Sequence, residues 1–274
     1  MLTLGSLRIT APAVMGILNV TPDSFSDGGC YNTFDVALRQ AVAMAEDGAA
    51  IIDIGGESTR PGSAGVSLQE ELDREMPVIE AVRGAIDTPI SIDTSKAAVM
   101  REAVGAGASM INDVFALRGE GALDAAAELG VPDCLMHMQG EPRTMQEAPV
   151  YEDVVAEVAA FLDQRIAECV SAGLPENLIV IDPGFGFGKT RDHNVGLLAN
   201  LRQLRVRERP LLVGVSRKTT LGDLTGRDVG DRTAASVAAA AMAVNNGAAI
   251  VRAHDVRETV DALRVVQAVI EAGE

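Results

Sequence analysis

The chain has 274 residues, of which 47% are hydrophobic and 23% are charged, a composition typical of a globular protein and not of a disordered one. Its 23 basic and 39 acidic residues give a formal net charge of −16, which argues against nucleic acid or an anionic membrane as its main partner. The three cysteines show no metal-ligand spacing and predict reduced thiols. Because no signal-peptide or membrane-spanning pattern is visible, we expect a cytoplasmic protein.

Eight short apolar runs rich in Ile, Val, Leu and Met recur along the chain. Each run is too short for a buried helix, and unbroken apolarity is typical of strands covered on both faces. Segments with helical spacing lie between the runs, among them Ala234–Val244. The predicted strands are Val14–Val20, Ala50–Gly55, Pro89–Thr94, Met110–Val114, Asp133–Met138, Leu178–Gly184, Pro210–Ser216 and Ala249–Asp255.

Three junctions between a predicted helix and the next strand share one pattern, in which Gly48, Gly107 or Gly247 directly precedes an apolar run. Glycine at this position predicts the left-handed conformation that ends a helix. Eight strand–helix units in succession predict a closed TIM (β/α)8 barrel, with an open doubly wound sheet as the alternative. The alternating pattern within residues 1–13 predicts a short N-terminal hairpin under the barrel. No linker-like composition interrupts residues 1–274, so we expect a single domain.

Polar or charged residues stand where each predicted strand ends. In barrels of this kind the active site is built at the carboxyl ends of the strands, so these residues form a candidate site. Turns favour Asn and Asp for structural reasons alone, but polar groups at all eight ends indicate a shared site. The residues are Asn19, Asp53, Asp93, Asn112, Asp113, His137, Asp182, Ser216, Arg217, Lys218, Arg252 and His254.

The charges of this candidate site predict two kinds of contact. Arg252 and His254 are two residues apart on one strand, so both project from the same face and can meet a phosphate-like anion. Buried carboxylates at Asp93 and Asp182 need hydrogen-bond donors, which an aminopyrimidinone ring would supply, and Asn112 can match its mixed edge. The alternative is a network of ion pairs between these carboxylates and the nearby cations.

The glycine-rich segment Gly184–Thr190 lies between a strand and a helix and is similar to a phosphate-binding loop. The Walker pattern fails because Pro183 occupies a glycine position, and the dinucleotide fingerprint fails because Lys189 occupies another. We therefore expect a tight turn that brings Phe185 or Phe187 over the site as a wall, with ordinary core packing of Phe187 as the alternative.

Two polar, glycine-rich loops follow the first two strands and are candidate lids, or else plain connectors. They overlap the two longest motifs, Met15–Gly29 and Asp53–Gly62, which resemble the two signatures of the bacterial dihydropteroate synthase family. Shorter matches to the same family follow in the same order. These are Ser91–Thr94, Ile111–Asp113, Leu135–Gly140, Asp182–Lys189, Ser216–Lys218 and Arg252–Val256.

The resemblance implies a pterin-binding barrel that joins p-aminobenzoate to a dihydropterin-methyl diphosphate, releasing pyrophosphate and dihydropteroate for folate synthesis. It also implies Mg²⁺ as cofactor and a homodimer, and it assigns no residue as general acid or base. The residues that it implies are Asn19 for Mg²⁺; Asp93, Asn112, Asp182 and Lys218 for the pterin; Arg252 and His254 for the diphosphate; Thr59 and Arg60 from the second loop; and Phe187, Ser216 and Pro61 beside the aminobenzoate.

Two other functions remain open from the sequence. A methyltransferase that uses a methylated pterin has a related barrel but needs no diphosphate, so Arg252 and His254 argue against it. A non-catalytic pterin-binding paralogue would keep the fold and lose the loop residues, and the presence of Asn19, Thr59 and Arg60 argues against that.

Overall fold

In the computed structural model of the chain, residues 1–21, 30–58, 65–141 and 144–273 are described. The chain begins with the predicted hairpin, formed by β1 (Leu2–Leu4) and β2 (Leu7–Ile9). The two strands pair antiparallel, with Leu2 opposite Ile9 and Leu4 opposite Leu7.

Eight parallel strands then follow one another around a barrel. They pair in the order β8–β7–β6–β5–β4–β3–β10–β9, and a bridge between Ile181 and Leu211 joins the two ends of this sheet. The predicted barrel is therefore confirmed. Its strands are β3 (Ala13–Asn19), β4 (Ile51–Gly55), β5 (Ile90–Asp93), β6 (Met110–Asp113), β7 (Asp133–Met136), β8 (Ile179–Asp182), β9 (Leu212–Val213) and β10 (Ile250–Ala253).

Helices cover the outside of the barrel, and two of them lie between β9 and β10. None of the helices in the described part of the chain is long and apolar enough to cross a membrane. The helices are α1 (Cys30–Glu46), α2 (Leu68–Ala85), α3 (Ala97–Gly105), α4 (Ala122–Leu129), α5 (Val154–Ser171), α6 (Arg191–Ala199), α7 (Thr219–Thr225), α8 (Thr233–Asn245) and α9 (Val256–Gly273).

Local signals place the helix ends as expected. Gly48, Gly107 and Gly247 have φ angles of 96°, 116° and 105°, which confirms the left-handed turns from helix to strand. At the start of α2, Ser67 Oγ accepts from the Glu70 N–H while Glu70 Oε2 accepts from the Ser67 N–H. This reciprocal capping box satisfies two donors that the first turn would otherwise leave unpaired.

One strand is much shorter than its apolar run. The pattern predicts a strand over Pro210–Ser216, but β9 contains only Leu212 and Val213. Pro210 accepts a hydrogen bond from the Ile181 N–H at 3.0 Å, yet it cannot return one because proline has no N–H. The barrel is therefore closed by few backbone hydrogen bonds between β8 and the segment that contains β9.

The amino-terminal half of the barrel interior is apolar. Because side chains alternate across a strand, every second residue faces inward, and at this end those residues pack on the hairpin in one buried cluster. Its members are Leu4, Leu7, Ile9, Ala13, Met15, Ile51, Met110, Cys134, Val180, Leu212 and Ile250. The hairpin thus closes the amino-terminal end, as predicted, and leaves the carboxyl-terminal mouth as the open end.

Candidate active site

On four strands, the side chain that faces the barrel interior is apolar at one position and polar two residues further along the strand. Ile51 is followed by Asp53, Met110 by Asn112, Val180 by Asp182 and Ile250 by Arg252. These four polar residues keep the inward-facing phase of their strands, so the barrel brings them together in its mouth although they are up to 199 positions apart in the chain.

Arg252 lies among carboxylates instead of standing apart from them. Its Nε donates to Asp53 Oδ2 at 2.6 Å, and its Nη2 donates to Asp93 Oδ2 at 2.8 Å. Asn112 Nδ2 donates to the same Asp53 oxygen at 3.0 Å. The ion-pair alternative from the sequence is thus present in the mouth, and the simple separation of cations from carboxylates is not.

Burial and neighbouring charge act in opposite directions on this network. Burial raises the pKa of Asp93 above its ordinary value, against the effect of the Arg252 charge. Burial acts to lower the pKa of Arg252, but the negative charges of Asp53 and Asp93 outweigh this effect and raise the pKa overall. Arg252 therefore stays charged, and the network holds a fixed cation in the floor of the mouth.

Asp182 ends β8 with its carboxylate buried and oriented. Its Oδ1 accepts from the backbone N–H of Gly184 at 2.7 Å. Burial raises the pKa of Asp182 to about 6, although the Gly184 hydrogen bond and the charge of Lys218 favour the ionised form. The carboxylate is therefore ionised at neutral pH, and a ligand with N–H donors would stabilise it further.

Lys218 and Phe187 form one wall of the mouth. The Lys218 Nζ lies 4.1 Å from the centroid of the Phe187 ring, a cation–π arrangement. Burial and the charge of Arg252 lower the pKa of Lys218 to about 8. Phe187 is half-buried beside this ammonium, whereas Phe185 is buried in the hydrophobic core, so only Phe187 can act as the predicted wall.

His254 and Ser216 meet across the ends of β9 and β10. Ser216 Oγ accepts from the His254 backbone N–H at 3.2 Å and lies 3.0 Å from His254 Nδ1. The neighbouring Arg217 turns away from this pair, with φ of 56°, and its Nη2 donates to Asp255 Oδ1 at 2.5 Å. Arg217, one of the residues expected at the strand ends, thus pairs its guanidinium with Asp255.

Three of the sequence-predicted residues, Thr59, Arg60 and Pro61, lie outside the described residues. Asn19 is described: it ends β3 half-buried, on the same inward-facing phase as Met15. The described residues contain no group of three or more His, Cys, Asp or Glu side chains that could hold a metal ion.

Sequence reasoning missed a buried acidic cluster behind β4 and β5. Glu71 accepts from Thr94 Oγ1 at 2.5 Å and from Lys96, which also contacts Glu57. Glu75 accepts from the Gly56 N–H, and burial, together with the charge of Glu71, raises its pKa to about 9. The acids lie on α2, where they look like the solvated face of an ordinary amphipathic helix.

His137 was expected at the mouth but is enclosed beside Lys189. The Lys189 Nζ lies 2.9 Å from His137 Nδ1, and the two side chains are only 2% and 6% exposed. The burial of His137 is similar to that of Asp182 and Asn112, so the place of His137 in the candidate site stays a prediction.

Comparisons with known proteins agree with this geometry. A family model described as pterin binding enzyme matches residues 15–254. The chain is 53% identical over 269 residues to the dihydropteroate synthase of Escherichia coli strain K12, covering 98% of this chain and 95% of that protein.

Two solved structures are similar over nearly the whole chain. The first is Yersinia pestis dihydropteroate synthase with a sulfonamide drug, with a TM-score of 0.94, 52% identity, and 98% and 99% of the two chains covered. The second is Xanthomonas albilineans dihydropteroate synthase with 4-aminobenzoic acid, with a TM-score of 0.90, 54% identity, and 94% and 93% covered.

Proposed function

The chain belongs to the dihydropteroate synthase family, and from this premise we propose that it condenses p-aminobenzoate with a dihydropterin-methyl diphosphate to give dihydropteroate and pyrophosphate. It is then a transferase of folate biosynthesis. The observation that carries the proposal is the composition of the mouth: a buried carboxylate at Asp182, an ammonium at Lys218 and an aromatic wall at Phe187, in a family that binds pterins.

The pterin ring is bound by Asp93, Asn112, Asp182 and Lys218. A pterin presents adjacent N–H donors on one edge, which suit the ionised Asp182, and it presents a carbonyl that suits an ammonium donor. Asn112 donates to Asp53 through Nδ2, and its amide oxygen can accept from an N–H donor of the ring.

The aminobenzoate occupies the space beside Phe187, Ser216 and Lys218. The half-buried Phe187 ring offers a flat apolar face for the benzoate ring. Pro61 borders the same space in this proposal, which for that residue depends on the family resemblance alone. Because a sulfonamide has the shape of aminobenzoate, we expect such drugs to compete for this space.

The diphosphate is bound by Arg252 and His254, with Thr59 and Arg60 from the second loop. The guanidinium of Arg252 is permanently charged and can exchange one carboxylate partner for a phosphate oxygen. Ser216 Oγ lies 3.0 Å from His254 Nδ1 and orients the imidazole ring.

Mg²⁺ is part of the proposal because Asn19 fits it. The Asn19 amide oxygen is the hard ligand that Mg²⁺ prefers, and Mg²⁺ usually takes one or two protein oxygens and completes its shell with water and phosphate oxygens. When bound, Mg²⁺ would offset charge that develops on the leaving diphosphate.

We infer that bond cleavage precedes attack. The methylene C–O bond breaks with its electron pair going to the diphosphate oxygen, and the electron-rich dihydropterin ring stabilises the resulting cation. Asp93 offsets that positive charge, and Arg252 and His254 stabilise the departing anion. The neutral amino nitrogen of aminobenzoate then forms the C–N bond and releases its proton to water.

A coupled pyrophosphate-release assay tests the function. With dihydropterin-methyl diphosphate and Mg²⁺, we expect continuous release only when p-aminobenzoate is present. Absence of release from folded protein that still binds the pterin would identify a non-catalytic paralogue and refute the proposal.

Isotope scrambling tests the order of the two steps. Enzyme given Mg²⁺ and the pterin substrate, but no aminobenzoate, should move label between bridging and non-bridging diphosphate oxygens. No scrambling where the diphosphate can rotate, together with full activity after aminobenzoate is added, would favour direct displacement.

A homodimer completes the proposal. Helices α8 and α9 pack side by side and leave Met242, Val265 and Val269 at least half exposed, an apolar face that a second copy could cover. Light scattering should then give twice the 28.6 kDa mass of the chain. The cytoplasmic location expected from the sequence stays a prediction.

A further inference from the structure

The chain uses lysine in only a few places. Among its 23 basic residues 20 are arginines, and the three lysines, Lys96, Lys189 and Lys218, each follow a barrel strand within a few residues. A lysine ammonium is compact and directs three N–H donors from one nitrogen, whereas arginine presents a larger planar fork. This distribution suggests that each lysine serves a purpose for which arginine is unsuited.

Lys189 shows what such a purpose can be. Its side chain is 2% exposed, and its Nζ has three acceptors at 2.9 Å: His137 Nδ1 and the backbone carbonyls of Gly184 and Phe187. Three donors therefore meet three acceptors, which offsets part of the cost of burying the ammonium. Burial still lowers the pKa of Lys189 to about 7.

His137 acts as an acceptor in this arrangement. Burial and the adjacent Lys189 charge lower the pKa of His137 to about 3, so the ring is neutral. When Lys189 is an ammonium, which can only donate, Nδ1 is the acceptor and the ring proton resides on Nε2. The edge-on ring of Phe161, with centroids 4.9 Å apart, holds the imidazole in this orientation.

The two carbonyls bound by Lys189 belong to residues that serve opposite halves of the proposed substrate pocket. Gly184 donates its N–H to Asp182 Oδ1 at 2.7 Å, on the pterin side. Phe187 places its ring beside the Lys218 ammonium, on the aminobenzoate side. One buried ammonium thus holds both ends of the Gly184–Phe187 turn.

The turn lies so close to the end of β7 that its position is sharply defined. A Cβ atom at Gly184 would lie 1.8 Å from the His137 carbonyl oxygen, and one at Gly188 would lie 2.2 Å from the Gln139 carbonyl oxygen. The glycines allow the backbone of the turn to approach the backbone after β7 closely, but a glycine has no side chain that could pack there. Lys189 supplies attractive contacts at the two ends of the turn, Gly184 and Phe187, whereas Gln146 and Asn194 contact its middle at Gly186.

We propose that Lys189, with neutral His137 as its hydrogen-bond acceptor, is a positioning residue that sets the pterin carboxylate and the aminobenzoate wall together. It touches neither substrate. It acts through Gly184 on Asp182 and through Phe187 on the wall that Phe187 forms with Lys218. The inference rests on the proposed function, since the two halves of the pocket are those of the synthase reaction.

The test compares four variants with the wild-type enzyme. Lys189→Met removes the ammonium and keeps much of the volume. His137→Leu removes the acceptor, whereas His137→Asn retains one, because the Asn side-chain oxygen can take the place of Nδ1. Arg165→Met is the matched control: Arg165 is also a buried cation that donates to two backbone carbonyls, those of Ala116 and Leu117, outside the Gly184–Phe187 turn.

Three quantities are measured for each variant: the melting temperature, the dissociation constant of the hydroxymethyl dihydropterin fragment by calorimetry, and KM and kcat with varied p-aminobenzoate. For Lys189→Met we expect the fragment dissociation constant and KM each to rise by about tenfold or more, because the turn loses charged hydrogen bonds that position Asp182 and Phe187. Arg165→Met should lower the melting temperature and leave both constants within about twofold, given that separate sites act independently.

The His137 pair keeps the proposal testable if Lys189→Met does not fold. We expect His137→Asn to stay close to wild type and His137→Leu to share the defects of Lys189→Met. A packing role would give the reverse order, since Leu suits an apolar enclosure better than Asn, and that order would overturn the proposal.

Failure of the inference is distinguishable from failure of the proposed function. Wild-type protein that releases no pyrophosphate would refute the function. Normal wild-type turnover combined with unchanged constants in folded Lys189→Met, or with equal changes in Arg165→Met, would refute the positioning role alone.

Discussion

The two ends of the barrel interior are built on the same strands and have opposite character. At the amino-terminal end, Met110 on β6 and Val180 on β8 are fully buried and pack on the hairpin. Two residues further along, Asn112 and Asp182 enter a network of hydrogen bonds and charges. The same strand thus supplies a packed core at one end and a binding site at the other.

The difference shows that the amino-terminal end stabilises the folded state, whereas the groups at the mouth reduce its stability. The apolar end gains free energy from burial and close packing. At the mouth, burial raises the pKa of Asp182 and lowers that of Lys218, so these ionised forms are destabilised until a ligand meets them. Substitutions at the two ends should therefore separate stability from binding.

The largest expected effect is at the mouth. Asp182→Asn keeps the shape of the side chain and an acceptor for the Gly184 N–H, but it removes the charge and half of the acceptors. Two charged hydrogen bonds contribute about 1.5–3 kcal/mol each, so binding of the pterin fragment should weaken by about 100-fold or more. Calorimetry measures this loss, and an unchanged melting curve is the control. Normal pterin binding would refute the assignment of Asp182.

A substitution at the closed end should do the opposite. Met110→Ala, two residues before Asn112, removes a fully buried side chain from the hairpin cluster. The cavity should lower the free energy of unfolding by about 2–5 kcal/mol, as measured by denaturant titration. Pterin affinity should stay within about twofold, because the mouth keeps its own hydrogen bonds. A parallel loss of affinity and stability would show that the two ends are not independent.

A third substitution should stabilise the protein. The folded state raises the pKa of Glu75 to about 9 from an ordinary value near 4.5. A raised pKa contributes stability below the ordinary value that is lost as pH rises towards 9, by on the order of 1 kcal/mol per pH unit. Glu75→Gln should remove this loss, so its advantage over wild type should grow between pH 6 and pH 9. An advantage that does not change with pH would contradict the assignment.

Much of the fold could be predicted because its signals are local. The eight apolar runs, and the glycines at positions 48, 107 and 247, depend on neighbours within a few residues, and the structure confirms both. The closure at β9 could not be predicted in detail. The single hydrogen bond between Ile181 on β8 and Pro210 depends on how two consecutive strands meet in space, which the local pattern around Pro210 does not encode.

The sequence predicts which residues lie in the candidate site better than it predicts the hydrogen bonds between them. The strand-end rule locates Asp93, Asn112, Asp182 and Arg252 in the mouth, where the structure places them. That Arg252 donates to Asp93, 159 positions away, and that Arg217 turns to Asp255 depend on side-chain directions that spacing does not encode. The scarcity of lysine is the signal that could have drawn attention to Lys189.

The smallest effect, and the finest test of the mouth, is the pH dependence of pterin binding. Burial raises the pKa of Asp182 to about 6, so affinity should fall as pH drops through that value and the carboxylate gains a proton. Burial lowers the pKa of Lys218 to about 8, so affinity should also fall as pH rises above that value and the ammonium loses its charge. Each limb should change affinity by at most about tenfold per pH unit. Calorimetry of the fragment between pH 5 and pH 9 gives the profile. Asp182→Asn should abolish the acid limb and keep the alkaline one, whereas Met110→Ala should keep both. An acid limb that persists in Asp182→Asn would assign it to another carboxyl group of the mouth.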